Sequence, residues 1–151
     1  MAELKDRLHA DLNTAMKARD ELTTATLRMA LTAVTTEEVS GSSARELSDD
    51  EVLRVLTREG KKRREAAEAY DGAGRPELAE RERAENSVID RYLPAQLEDA
   101  ELAELVRDAI AQTGASSPRD MGAVMKVVQP QVAGRADGKR VSTEVKDQLA
   151  G

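Results

Sequence analysis

The chain has no cysteine, no phenylalanine and no tryptophan, and only one histidine. Without cysteine it can form no disulfide, no thiolate metal site and no thiol nucleophile, and a cytoplasmic setting is the simplest reading of that usage. Tyr70 and Tyr92 are the only rings. A core must therefore be built from Leu, Val, Ala and Met, which suits helix-on-helix packing better than a sheet sandwich. No apolar run approaches the roughly 18 residues of a membrane span. The N-terminal stretch carries Glu3, Asp6 and Asp11 and lacks an apolar h-region, so neither a membrane contact nor a signal peptide is expected. No segment alternates apolar and polar residues with β-branched enrichment, so no strand is expected. His9 has no cysteine or clustered carboxylate in the pattern of a zinc site, and no calcium-loop spacing occurs. No catalytic residue, cofactor or metal is expected.

What the chain does contain is helical periodicity and charge. At 151 residues it has room for one domain or two small ones. Leu4, Leu8, Leu12, Ala15 and Met16 predict a first helix over about residues 2–19. Thr23, Leu27, Ala30, Leu31 and Val34 mark a second, which dies in Ser40-Gly41-Ser42-Ser43. Ser48 and Glu51 form a capping box, with Leu47 and Val52 as a hydrophobic staple, opening a third helix. That helix buries Val52, Val55, Leu56, Ala66, Ala67 and Tyr70 and ends at Asp71-Gly72-Ala73-Gly74. Pro76 opens a fourth, which stops before Pro94. The boundary of two parts is placed there: an N-terminal helical region, 1–93, and a three-helix tail, 94–151. In the tail, a helix with Leu102, Leu105, Val106, Ala109 and Ile110 inward ends at Gly114. Ser117-Pro118-Arg119-Asp120 opens the next, whose stripe of Met121, Val124, Met125 and Val128 is expected to break at Pro130. Ser142 is expected to cap the last helix, with Val145 and Leu149 inward. The fold class is all-α, about four helices followed by three.

The whole chain is formally −6, yet from Ala115 to Lys146 six cations (Arg119, Lys126, Arg135, Lys139, Arg140 and Lys146) face three acids. A basic helical segment on an acidic protein reads as a docking surface for an anionic partner. Gly134-Arg135-Ala136-Asp137-Gly138-Lys139-Arg140 lacks the Gly-Lys-Ser/Thr ending of a P-loop. It reads either as a phosphate clamp built by Arg135, Lys139 and Arg140, or as an interhelix turn with Asp137 capping its own backbone. In Lys61-Lys62-Arg63-Arg64, Lys61 continues an exposed side where Glu65 and Glu68 offset it. Arg63 points into the apolar face, where a guanidinium needs a carboxylate. Counting outward from the Gly72–Gly74 turn predicts a bidentate Arg63–Glu85 pair, or failing that Arg63–Glu82, as a structural clasp. The serines lie in no nucleophile-elbow pattern.

The order of Ala15-Met16-Lys17-Ala18, Thr26-Leu27-Arg28, Lys61-Lys62-Arg63-Arg64, Gly74-Arg75, Glu85, Tyr92-Leu93-Pro94, Gln96-Leu97, Asp120-Met121-Gly122 and Gly134-Arg135-Ala136-Asp137-Gly138 resembles the GatB/YqeY family, especially its free-standing YqeY-like members. The resemblance implies an all-helical N-terminal part and a tail similar to that of the B subunit of glutamine-dependent aminoacyl-tRNA amidotransferase. That tail helps hold tRNA, and the family is associated with carbon–nitrogen ligase activity using glutamine as amide donor. The chain lacks the kinase-type cradle and glutaminase residues of that enzyme. The resemblance therefore implies a non-catalytic accessory of tRNA-dependent amidation that binds tRNA through the basic tail. The alternatives are a protein–protein adaptor docking on an amidotransferase or aminoacyl-tRNA synthetase through the Arg54/Arg58/Lys61 side or the charged fourth helix, and, third, an amidotransferase-type enzyme.

Overall fold

A computed structural model describes residues 3–132 and 134–151, and among them every regular element is helical. The helices are α1 (Glu3–Lys17), α2 (Glu21–Glu38), α3 (Asp49–Gly72), α4 (Pro76–Asp90), α5 (Asp99–Thr113), a 3₁₀ turn (Pro118–Asp120), α6 (Met121–Val132) and α7 (Gly138–Ala150). Residue 2, where the periodicity starts the first helix, lies outside the described residues. Contacts divide the chain into two compact units, Met1–Leu93 and Pro94–Gly151.

The first unit packs α1–α4 around Leu8, Leu27, Leu31, Val34, Leu47, Val52, Leu56, Val88, Ile89 and Tyr92. Local chemistry sets the helix ends. Asp20 accepts from the Thr23 N–H at 3.1 Å and caps α2. Ser48 Oγ accepts from the Glu51 N–H at 3.3 Å while Glu51 Oε1 accepts from the Ser48 N–H at 3.2 Å, completing the capping box of α3. Pro76 occupies the first turn of α4. Polar contacts then tie one helix to the next. The Leu4 N–H donates to Asp49 Oδ1 at 3.0 Å, and Lys5 Nζ reaches both oxygens of Glu38 at 2.9 and 3.0 Å. Tyr92 Oη donates to Asp11 Oδ2 at 2.5 Å, with the Arg7 guanidinium 4.7 Å from its ring centre. Burial, then the bond to Asp11 and that carboxylate's charge, push the Tyr92 phenol well above its ordinary pKa.

Gly60 explains itself only in three dimensions. A glycine in mid-helix costs about 1 kcal/mol relative to alanine. Here a Cβ would stand 3.0 Å from Asn86 Oδ1 and 3.8 Å from Ile89 Cγ2, so the missing side chain is what lets α4 approach α3.

The second unit closes α5, α6 and α7 over Leu97, Leu102, Val106, Ala109, Val124, Val128, Val132, Val141, Val145 and Leu149, with no aromatic side chain. Gly114 ends α5 in the left-handed region at φ 69°, which glycine adopts without steric cost. Two sequence expectations fail here. Pro130 does not break the sixth helix, which runs on to Val132 with that valine buried. Ser142 does not cap α7 but lies inside it, its Oγ donating to the Lys139 carbonyl at 3.1 Å. The cap is Asp137, which accepts from the Arg140 N–H at 2.8 Å.

Candidate nucleic-acid interface

The turn between α6 and α7 is a braced joint. Gly134 takes the left-handed conformation at φ 75°, and a Cβ there would lie 3.4 Å from Pro94 Cδ. The Arg135 N–H donates to the Val132 carbonyl at 2.7 Å, and the Arg135 carbonyl accepts from the Leu97 N–H at 2.8 Å. Arg135 Nε donates to the Ala95 carbonyl at 3.0 Å, while Gln96 Nε2 donates to the Gly134 carbonyl at 3.0 Å. Ala136 is buried beneath. The turn is thus stitched to residues 94–97, and the Asp137 carboxylate occupies the start of α7 where an anion would otherwise sit. The geometry is that of an Asp-capped interhelix turn and not of a phosphate cradle.

The six cations fall into distinct settings. Arg140 Nη2 donates to Asp99 Oδ1 at 2.8 Å, so it is engaged with an acid of α5. Asp99 is almost fully exposed, and such a surface pair exchanges at a cost of about 0–1 kcal/mol. Arg140 and Lys139 line a recess of about 550 Å³ together with Asp99, Asp137 and Glu144, where acids outnumber cations. Lys139 and Lys146 are seven residues apart on α7 and share one flank, and both are exposed. Lys126 is exposed on α6, turned away from the stripe of Val124, Val128 and Val132. Arg119 is exposed on the 3₁₀ turn, and Arg135 is half-buried by its bond to Ala95. Among the described residues the one ion pair of this unit is Arg140–Asp99.

A linear charge count missed the acids of α5. Residues 94–151 carry seven Lys/Arg against nine Asp/Glu, so the positive charge belongs to the α6–α7 segment and not to the unit. The same count passed over Arg107 on α5, an exposed cation that stands among Glu101, Glu104 and Asp108; its helical spacing from Leu102, Val106 and Ala109 is the signal that turns it outward.

In the first unit, Arg63 Nε lies 3.6 Å from Glu85 Oε2 and its Nη1 lies 3.6 Å from Glu59 Oε1. The bidentate geometry expected from sequence is not formed: both contacts exceed hydrogen-bonding length, and the guanidinium is shared between two carboxylates. Each acid is held closer by another cation, Glu59 by Lys62 at 3.2 Å and Glu85 by Arg81 at 3.2 Å. His9 is exposed. Among the described residues no group of three or more His, Cys, Asp or Glu side chains is placed to hold a metal. None of the helices is long and apolar enough to cross a membrane, among the same residues.

These features define an all-helical protein of two units, the first laced by ion pairs and the second an aliphatic three-helix unit with exposed cations on its last two helices. The chain belongs to the Yqey-like protein family, whose model matches residues 5–149. It is also similar to Uncharacterized protein C22F3.15 of Schizosaccharomyces pombe, with 35% identity over 80 residues, 53% of this chain. That match spans 63% of the relative's length.

Proposed function

We propose that the protein is a non-catalytic accessory of tRNA-dependent amidation and that it holds tRNA phosphates with the exposed cations of the α6–α7 segment. The observation that carries this reading is the unpaired state of Arg119, Lys126, Lys139 and Lys146, which have no ion-pair partner among the described residues. Six cations stand against three acids between Ala115 and Lys146, and no aromatic side chain of that stretch is present to stack on a base. Such a surface reads phosphate position and shape, not sequence. Arg135 contributes backbone geometry through its bond to Ala95 and presents its remaining donors at the turn. Arg140 joins by exchanging Asp99 for a phosphate. The choice of tRNA as the polyanion rests on the resemblance of the tail sequence to that of the amidotransferase B subunit.

The test is tRNA binding across a salt series. Affinity falls as salt rises, and replacing Lys139 and Lys146 by Ala lowers the slope of log K against log salt by roughly 0.7–0.9 per lost phosphate contact. Binding that ignores salt, an unchanged slope in the double variant, or no binding at low salt sinks the reading. Arg135 is left alone in this test because its loss also loosens the turn.

A further inference from the structure

The first unit carries a second cationic surface that the tRNA reading does not use. Arg58 Nη2 meets Glu37 at 3.3 Å and Arg63 Nη2 meets Met29 Sδ at 3.3 Å, so α2 and α3 run antiparallel along this side. Between them lies an open groove of about 600 Å³, lined on α2 by Arg28, Met29, Thr32, Ala33, Thr36 and Glu37. Its α3 side comprises Val55, Arg58, Glu59, Lys62 and Arg63. Residues 28–37 and 55–63 each extend about 12–14 Å along a helix, about two and a half turns.

Three properties of the groove point to one kind of occupant. First, Met29, Thr32, Ala33 and Thr36 repeat at the spacing of a helix face. They are small or soft side chains, and Met29 is 37% exposed. A thioether adapts to varied apolar partners. Second, the acids of the groove are already neutralised: Glu37 by Arg58, and Glu59 by Lys62. Third, two arginines of the groove each rest one donor on sulfur. The Arg28 Nη2 donor rests on Met16 Sδ at 3.3 Å and the Arg63 Nη2 donor on Met29 Sδ at 3.3 Å. Arg63 is about nine-tenths buried, its side chain 11% exposed; its Nε faces Glu85 and its Nη1 Glu59, each at 3.6 Å, which leaves Nη2 on the sulfur. Sulfur is a weak acceptor, so a donor resting on it gains by exchanging it for a carboxylate oxygen. Carboxylate oxygens would replace sulfur as the acceptor of Arg28 Nη2 and Arg63 Nη2, and apolar side chains beside them would cover Met29 and the partly exposed Ala33.

We propose that the α2–α3 groove docks an acidic amphipathic helix of a partner protein, its apolar face on Met29 and Ala33 and its carboxylates on Arg28, on Arg63 Nη2 and on the exposed donors that Arg58 and Lys62 keep beside their own acids. A groove of this length receives two turns of a helix read at i, i+3 or i+4, and i+7. The mixed lining selects against a nucleic-acid strand: Glu37 and Glu59 lie within it, and its floor is aliphatic where a strand would need stacking rings. The inference stands apart from the tRNA reading, since it uses no residue of the second unit.

The probe is a synthetic 14-residue helical peptide with Leu at i, i+4 and i+7 and Glu on both flanks. Its control has every Glu replaced by Gln, and a single-stranded RNA of similar charge is the competitor. The full chain is used, with methyl-labelled methionine and observation of the Arg63 Nε–H by NMR. The Glu peptide shifts the Met29 methyl and Arg63 Nε–H signals, and the Gln peptide binds at least tenfold more weakly. Arg28→Glu with Arg58→Glu weakens the Glu peptide tenfold or more, and Arg28→Ala alone weakens it about threefold, a milder variant that guards against misfolding. Lys139→Ala with Lys146→Ala leaves it unchanged. The proposal is overturned if the Glu peptide at millimolar concentration moves neither signal, if the Gln peptide binds equally, or if the RNA moves both signals and displaces the peptide.

Discussion

In the first unit cations meet acids across and along the helices: Lys5 with Glu38, Arg45 with Glu51, Arg58 with Glu37, Arg83 with Asp71, and Arg63 between Glu59 and Glu85. In the second unit the helices close over Leu, Val and Ala, and the cations of α6 and α7 stand outside that core. The same residue types therefore do different work. In the first unit a guanidinium is part of how helices are held together, and removing it strands acids. In the second, Arg119 forms no ion pair among the described residues, Arg140 pairs only with an acid that is 99% exposed, and Arg135 bonds a backbone carbonyl and no acid. A run of positive charge therefore has no meaning until its acids are located.

One substitution made in each unit puts this contrast at greatest risk. Arg63→Met leaves Glu59 and Glu85, both buried, with only Lys62 and Arg81 beside them. Removing one partner of a buried pair costs about 3–5 kcal/mol, and the remaining cations place this loss at about 3 kcal/mol. Arg140→Met removes a partner from an acid that is 99% exposed, and changes stability by no more than about 0.5 kcal/mol. Both tyrosines lie in the first unit, so tyrosine fluorescence in a urea titration follows that unit alone while far-UV circular dichroism follows the whole chain. Equal losses for the two variants would erase the distinction between structural and surplus arginines.

The next comparison is between two candidate caps of α7. Asp137→Ala costs about 1 kcal/mol, as the loss of an N-cap does, because it frees the Arg140 N–H. Ser142→Ala changes stability by less than about 0.5 kcal/mol, since its hydroxyl only bonds back to a carbonyl within the helix. Thermal melts by far-UV circular dichroism separate the two. A larger loss at Ser142 than at Asp137 would return the helix start to where the sequence pattern suggested it.

That disagreement shows what kind of information the sequence carries. The all-helical class was legible because apolar residues recur at helical spacing, and the Ser48–Glu51 box because both of its bonds span three residues. Short-range rules misled at the other end of the chain. Gly134 and Gly138 bracket a stretch that reads as turn, so Ser142, the first hydroxyl after it, reads as the cap; Gly138 instead begins the helix, and the capping side chain of Asp137 precedes it. Pro130 reads as a break, yet burial of Val132 holds the last turn of α6 in place. Counting from the Gly72–Gly74 turn names Glu85 for Arg63 and passes over Glu59, one turn back on the same helix. The engagement of Arg140 was beyond reach, because Asp99 lies forty-one residues away and only the packing of α5 on α7 brings it near. The candidate interface was legible as composition and illegible as geometry.

Acid separates the bonds of the first unit by sign and gives the smallest effect. Hydrogen bonds from Arg45, then from the Ser48 N–H, hold the Glu51 carboxyl down to about 2 from an ordinary 4.5. The Lys5 ammonium likewise lowers Glu38. A folded-state value below the unfolded one means that the stabilisation is complete above about pH 4.5 and is lost as pH falls toward the folded-state value. The tyrosine-monitored melting temperature of the first unit therefore drops through that window. Glu51→Gln, which keeps the shape of the cap but not its charge, melts lower than the parent at pH 7 and level with it near pH 2. A gap between the two that stays constant from pH 7 to pH 2 would show that the box acts through neutral hydrogen bonds alone, and that the charge of Glu51 contributes nothing to the start of α3.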